Sequence, residues 1–363
     1  MMRTISIANQ KGGCGKTTTA INLSACVALH GRKVLLIDMD PQGHAGLGLN
    51  INPDQPRSTV LQALFAFDGN VASLGDATVQ LTEHLHVAPS DIELSAFEQH
   101  LSKVAGREIR LKEAIEGLSP EYDYDYIIID CPPSLGLLTF NALVASTEVF
   151  IPIEMSSFSL HGTRRLLEII DLVRNKTGHD IRVKVIGTMY DKRTKIANEV
   201  LAEIKKHFES SVFRTVVHSN VKLKEAASFG ISIADYEKKS NGYKDYYKLA
   251  EEVLEEESTL KDLLSITQPE PSFQSAEVPK EFVFHAPDAK SVRIVGSFND
   301  WRPTEDYLME RSEDGVWSKT VLLAPGEYQY KYIVDDMWVE DKHNPILTND
   351  PFGGRNSIIQ ISE

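Results

Sequence analysis

Along the first 264 residues, short apolar runs alternate with helix-like stretches. The runs at 4–8, 34–38, 126–130, 149–153 and 183–189 are apolar almost throughout. A strand can be apolar on both faces only where both faces are covered. These runs therefore predict a mostly parallel sheet flanked by helices, an α/β layer fold. Past residue 280 the pattern changes to short segments of rough period two, at 281–285, 291–298, 316–323, 327–334, 337–340 and 357–361. Asn299-Asp300, Pro325-Gly326 and Gly353-Gly354 separate them as turn signals. That texture predicts an all-β, immunoglobulin-like sandwich. Residues 265–279 carry three prolines and no apolar period, and read as a linker. The expected division is 1–264, 265–279 and 280–363.

Composition narrows the class. Of the 363 residues, 42% are hydrophobic and 25% charged, as in ordinary soluble globular chains. No apolar run reaches the roughly 18 residues of a membrane span, and the start leads straight into a strand pattern, so no signal peptide is expected. Three cysteines, Cys14, Cys26 and Cys131, form neither a disulfide framework nor a metal-ligand spacing, so a reducing cytoplasm is expected. The net charge of −14 argues against a chain coated in nucleic acid. The total conceals a local contrast, however. Residues 182–248 carry 14 Lys/Arg against 8 Asp/Glu, and residues 249–278 carry one Lys against 8 acids.

After the first apolar run comes Asn9-Gln10-Lys11-Gly12-Gly13-Cys14-Gly15-Lys16-Thr17-Thr18, followed by a helical stretch to His30. Glycines let successive backbone N–H groups turn around phosphate oxygens, and a helix N-terminus adds its dipole. In such a loop Lys16 reaches the β- and γ-phosphates, and the Thr17 hydroxyl ligates Mg²⁺. Gln10 stands where the usual pattern has its first glycine, and a second lysine, Lys11, follows it. Two later runs end in acids, at Asp38-Met39-Asp40-Pro41-Gln42 and Asp130-Cys131-Pro132-Pro133. Carboxylates at the C-terminal ends of parallel strands face the ligand crevice. Asp130 is thus a candidate to hold Mg²⁺, Asp38 a supporting acid at the metal, and Asp40 a candidate to orient the attacking water.

The string Lys11-Gly12-Gly13-Cys14-Gly15-Lys16-Thr17, with the two acidic segments, resembles the deviant Walker A signature of the ParA/MinD family of ATPases. The resemblance covers residues 3–257. Thr188-Met189-Tyr190-Asp191-Lys192-Arg193-Thr194 and the stretch from Asn220 to Gly230 are similar to the chromosomal, Soj-type branch. The resemblance implies an ATP-sandwich homodimer in which Lys11 reaches the partner's ATP. It also implies nucleotide contacts from Lys11, Gly12, Gly13, Cys14, Gly15, Lys16, Thr17, Thr18 and Asn220, with Lys11, Lys16 and Asp40 serving hydrolysis. Sequence-blind DNA contacts from Arg193 and Lys222, nucleoid association and a ParB-like activator are implied as well. The chain departs from the family at His44 in the first switch and at His218-Ser219-Asn220, where the family has Pro-Arg-Asn. The acidic last helix, 243–264, would be repelled by an anionic membrane, so no membrane partner is expected. One cysteine at 131 cannot hold the cluster of nitrogenase-type relatives.

Residues 281–362 resemble the glycogen-binding module of the AMP-activated kinase β-subunit and carbohydrate-binding family 48, through Gly296 to Trp301, Gly326 to Asp335, Trp338 and Asn356 to Ile359. The resemblance implies that Trp301 and Trp338 stack on glucose rings, that Lys331 and Asn356 bind hydroxyls, and that Phe352 threads a curved α-glucan. Trp317, in mid-strand, is expected in the core. Taken together, the sequence implies an ATP-dependent, DNA-binding ATPase that positions cargo and carries a glucan-binding module. Two alternatives stand beside it: an ATPase of polysaccharide synthesis or storage without DNA, and a glucan-binding adaptor that uses nucleotide only to dimerise.

Overall fold

The computed structural model of the 363-residue chain describes residues 2–51, 58–65, 72–97, 101, 106–156, 159–266, 278–299, 301, 303–312, 314–335, 337–349 and 355–361. It divides into two compact units, Met1–Asp262 and Leu263–Glu363.

Among the described residues, the first unit is built on eight strands: β1 (Arg3–Ile7), β2 (Val34–Asp38), β3 (Val79–Gln80), β4 (Leu85–Ala88), β5 (Tyr126–Asp130), β6 (Glu148–Glu154), β7 (Arg182–Tyr190) and β8 (Val212–His218). They form one sheet in the order β3-β4-β2-β5-β1-β6-β7-β8, parallel except where β3 pairs with β4. β1, β2 and β5 are buried at every residue, as uninterrupted apolar runs require. β3, β4 and β8 fall outside the predicted runs. β8 lies at the sheet edge, and Arg214 and Thr215 break its apolar pattern because one side meets solvent.

Helices cover both faces: α1 (Lys16–Leu29), α2 (His44–Leu47), α3 (Val60–Leu64), α4 (Arg110–Glu116), α5 (Leu137–Ala145), α6 (Ser159–Thr177), α7 (Lys195–Phe208), α8 (Val221–Ser228), α9 (Ile233–Tyr236) and α10 (Asn241–Ile266). Alternate strand residues feed two cores. Leu35, Ile127 and Ile151 pack on one face with Leu166 of α6, and Leu36 and Ile128 pack on the other with Leu23 of α1 and Leu249 of α10. α10 is tied under the sheet by polar groups. The Arg3 guanidinium pairs with Glu148 at 2.7 Å and donates to the Val253 carbonyl at 2.6 Å, and the Tyr126 hydroxyl donates to Glu257 at 2.9 Å. α10 continues through Ile266, two residues into the predicted linker. Among the described residues no helix is long and apolar enough to cross a membrane.

The second unit is all-β and antiparallel. One sheet has the order β10 (Val292–Gly296), β13 (Gly326–Val334), β16 (Arg355–Ile361), β15 (Leu347–Asn349), with β14 (Met337–Val339) also on β13. The other has the order β11 (Glu310–Arg311), β12 (Val316–Leu323), β9 (Val278–His285). Val292, Ile294, Trp317, Tyr330 and Tyr332 fill its core. The two-residue β11 and three-residue β15 are too short to leave a period in the sequence.

Candidate nucleotide and glucan sites

Parallel strands bring their C-terminal ends to one edge of the sheet, and the chemically distinctive loops follow those ends. The loop after β1 carries Gly13 and Gly15 at φ +74° and +92°, a backbone region that side chains disfavour. Gly12 and Gly13 are exposed, and a Cβ placed on either would meet nothing within 4 Å, so the loop backbone is open to an approaching phosphate. Asn9 fixes the loop's start: its amide donates to the Pro152 carbonyl at 2.7 Å, and its side-chain oxygen accepts from the Lys11 N–H at 3.1 Å. Farther along, the Thr188 hydroxyl donates to the Cys14 carbonyl at 2.9 Å. Lys16 opens α1 and lies mostly buried, with its ammonium 3.3 Å from the Lys11 carbonyl. Cys14 is sealed, and burial pushes its thiol up, which suits packing rather than reactivity.

Register sets two acids side by side, since Asp38 of β2 pairs with Asp130 of β5. Their roles separate by hydrogen bonding. Asp38 accepts from the N–H groups of Asp40 at 3.0 Å, Ala45 at 2.9 Å and Gly46 at 3.4 Å, so it shapes the loop that leads into α2. Both Asp130 oxygens are buried, and among the described residues only the Thr17 hydroxyl approaches them, short of good hydrogen-bond geometry, an arrangement that costs free energy unless a cation or a proton occupies it. Burial, followed by the charge of Asp38, holds the Asp130 carboxyl far above the usual range, while Thr17 and Lys16 offset this only in part. Burial likewise pushes Asp38 up to about 7, against its backbone hydrogen bonds. An oxygen donor set beside a phosphate loop suits Mg²⁺. Asp40 is held through its backbone, because its carbonyl accepts from Gly43 N–H at 2.9 Å and from the Ser90 hydroxyl.

Lys11 has its own partners at the end of β6. Its ammonium meets Glu154 at 2.6 Å and the Ser156 hydroxyl at 3.1 Å. Glu154, Ser156 and Ser90 were not singled out from the sequence, and Thr188 only as the first residue of the Soj-like stretch. Glu154 ends an apolar run on the same edge as Asp38 and Asp130, so the strand-end rule that selects those acids selects it too.

The basic candidates sit beyond β7 and on α8. Arg193 makes a bidentate pair with Asp191, at 2.9 and 2.7 Å. The Lys222 ammonium pairs with Glu225 at 2.7 Å and lies 5.8 Å from the Tyr236 ring centre. Asn220 caps α8, its side-chain oxygen accepting from the Lys222 N–H at 2.8 Å. His218 is bound to Asp245 at 3.0 Å and faces Tyr190. A cavity of about 290 Å³ lies between Thr17 and Thr18, the α2 segment at His44 and Leu47, and Leu223 and Ala226 of α8. It joins the loop shaped by Asp38 to the helix that bears Lys222.

In the second unit the Trp301 and Trp338 rings lie 6.3 Å apart at 42°. Trp338 is 52% exposed. Trp301 takes φ +59°, a strained conformation for a bulky residue and of the kind found where a ligand is clamped. Lys331 of β13 and Asn356 of β16 line the same sheet and are mostly buried, with the Asn356 amide donating to Gln329 at 3.0 Å. Phe352 lies outside the described residues. Trp317 is 5% exposed, and its indole N–H donates to the Ala286 carbonyl at 2.9 Å.

Residues 2–183 match the AAA domain family, and residues 278–363 match the glycogen recognition site of AMP-activated protein kinase. The chain is 44% identical over 254 residues to the sporulation initiation inhibitor protein Soj of Bacillus subtilis, covering 70% of this chain and 98% of that one. It is 43% identical over 263 residues to the chromosome partitioning protein ParA of Myxococcus xanthus, covering 70% and 89%. Among solved structures it resembles cobyrinic acid a,c-diamide synthase from Mycobacterium smegmatis with a bound ATP analog and magnesium, at TM-score 0.61 and 32% identity over 70% of this chain and 94% of that one. Apo McdA from Cyanothece superposes at TM-score 0.61 and 26% identity, over 70% and 100%. With a two-lysine phosphate loop above paired strand-end acids, and with this identity across nearly the whole of Soj, the chain belongs to the ParA/Soj family of partitioning ATPases and carries a glycogen-binding module at its C-terminal end.

Proposed function

We propose that this chain is an ATP-driven dimerisation switch that binds DNA without reading its sequence and carries α-glucan, of the glycogen type, as its cargo. The observation that carries the reading is the loop with two lysines. Lys16 serves the nucleotide of its own subunit, and Lys11, which keeps part of its exposure beside the end of β6, serves the partner's nucleotide once the dimer forms. Asp130 with Thr17, supported by Asp38, would hold Mg²⁺, which when bound neutralises phosphate charge. Asp40 would orient the water that attacks the γ-phosphate. Hydrolysis to ADP then removes the charge that draws the two Lys11 side chains inward.

For DNA, Arg193 and Lys222 supply charge to phosphates. Both are paired on exposed surface, where an ion pair exchanges partners at little cost. The dimer doubles the patch and raises effective concentration. For glucan, the two tilted indoles of Trp301 and Trp338 suit the curvature of an α-1,4 chain, with Lys331 and Asn356 at its hydroxyls. A cytoplasmic, nucleoid-associated protein with a ParB-like activator completes the reading. The second reading, an ATPase of polysaccharide storage without DNA, is favoured by the internal pairing of Arg193 and Lys222 and by Ser219.

Light scattering with duplex DNA separates the two. The proposal expects an ATP-dependent dimer, trapped by Asp40→Ala and lost with Lys16→Ala. It also expects DNA affinity that falls steeply with salt and disappears in Arg193→Glu. A dimer that ignores DNA at low salt leaves the second reading. A nucleotide-independent oligomer refutes both.

A further inference from the structure

We infer that Glu154 and Ser156 latch Lys11 within its own subunit, so that ATP-driven dimerisation must release this latch. The inference rests on the trans role proposed for Lys11.

The start of the phosphate loop is strapped to β6. Asn9 donates to Pro152 and accepts from the Lys11 N–H, which lays the Lys11 side chain along the last residues of that strand. There the ammonium meets a carboxylate oxygen of Glu154 at 2.6 Å and the Ser156 hydroxyl at 3.1 Å. An ammonium has three N–H donors, and these two contacts occupy two of them. A lysine held in this way points back into its own subunit, with its charge already matched.

The latch is strong enough to matter and weak enough to open. The Lys11 and Glu154 side chains keep 31% and 28% of their exposure, so breaking the pair leaves neither charge sealed from water. An exposed pair of this kind shifts an equilibrium by up to about fivefold. A two-fold dimer must break two such pairs, so the effects multiply. The polyanionic phosphates of a partner's ATP offer Lys11 a better site than one carboxylate does, and ADP offers a poorer one. Glu154 therefore raises the charge that a nucleotide must present before Lys11 crosses the interface, which sharpens the distinction between ATP and ADP. Ser156 supplies the neutral half of the latch.

The test is the dimer dissociation constant of the full-length chain with ATP and with ADP, measured by sedimentation velocity. Wild type is compared with Glu154→Gln, Ser156→Ala, Lys11→Ala and Lys11→Ala combined with Glu154→Gln. Melting temperature and nucleotide binding by the monomer are recorded to confirm that each variant is folded. The latch predicts that Glu154→Gln, an isosteric change, tightens the ATP dimer by about five- to twentyfold. It predicts a smaller change of the same sign for Ser156→Ala, some dimer with ADP for Glu154→Gln, and no effect of Glu154→Gln once Lys11 is removed. If wild type dimerises with ATP and Glu154→Gln leaves that unchanged or weaker, the latch is overturned while the dimer reading stands. Tightening that persists in the Lys11→Ala background also overturns it. The absence of an ATP-dependent dimer in every variant overturns the underlying reading, and the latch with it.

Discussion

Trp317→Ala and Trp338→Ala remove the same side chain from two settings that should respond in opposite ways. Trp317 is 5% exposed, sits in the core of the second unit beneath the Arg311 guanidinium, and donates to the Ala286 carbonyl. Its truncation opens a cavity and should cost about 3 to 5 kcal/mol. Loss of the hydrogen bond adds little, because the Ala289 N–H also donates to that carbonyl at 3.2 Å, so the oxygen is not orphaned. For a module this small each kcal/mol is worth about 4 to 8 °C, so its melting point should fall by roughly 12 to 40 °C. Trp338 is 52% exposed, and its truncation should stay within about 1 kcal/mol while removing a stacking face. All three tryptophans of the chain, Trp301, Trp317 and Trp338, lie in the second unit. Intrinsic tryptophan fluorescence therefore follows that unit alone within the full-length protein. Thermal scans of both variants, paired with sedimentation on glycogen, complete the assay. The reasoning is refuted if Trp338→Ala melts as early as Trp317→Ala, or if Trp317→Ala melts like wild type.

Further expectations concern the first unit. Lys16→Ala should abolish ATP binding in equilibrium dialysis, and retained micromolar binding would show that the loop does not work as described. Gly230 has φ +68°, and a Cβ there would lie 2.8 Å from the Asn50 Cβ and 3.0 Å from the Asn50 N, so Gly230→Ala should cost at least about 1 kcal/mol in a melt followed by circular dichroism. A neutral result would mean that the turn after α8 does not press on the loop after α2. The Asp38 and Asp130 carboxyls are raised above the unfolded value by burial, so the nucleotide-free fold binds their protons more tightly than the unfolded chain does. Their contribution is present at low pH and is lost as pH rises from about 4 through the folded value of Asp38 near 7. Asp130→Asn, which removes one titrating acid and the like charge beside the other, should flatten that slope in denaturant titrations between pH 5 and 8 without added metal; an unchanged slope would place the titration elsewhere.

Much of the fold was legible because its central strands are covered on both sides and read as uninterrupted apolar runs. β8 was missed for the opposite reason: as an edge strand it carries Arg214 and Thr215 where a central strand would carry aliphatic residues. β3 and β4 are too short to leave a period. Within the site, the loop glycines and the strand-end acids declare themselves by type and position. What the sequence does not display is how the lone pairs are shared out. Asp38 and Asp130 are both strand-end acids in the sequence, yet among the described residues three backbone N–H groups converge on Asp38 and none on Asp130. Lys11 and Glu154 are 143 residues apart, and only the adjacency of β1 and β6 brings them together. The same limit applies to Arg193 and Lys222, whose basic surroundings count as surplus charge in a composition window but whose nearest neighbours are acids.

The central claim is that ATP joins the two ends of this molecule, one on DNA and one on glucan. Its most direct test is a bridging experiment with the full-length chain: DNA-coated beads, fluorescently labelled glycogen, and ATP or ADP at matched salt. The account predicts that glycogen is captured on the beads with ATP, released as ATP is hydrolysed, and absent with ADP or with Trp338→Ala. Capture that is equal in ATP and ADP, or no capture while the protein itself binds the beads, would contradict it.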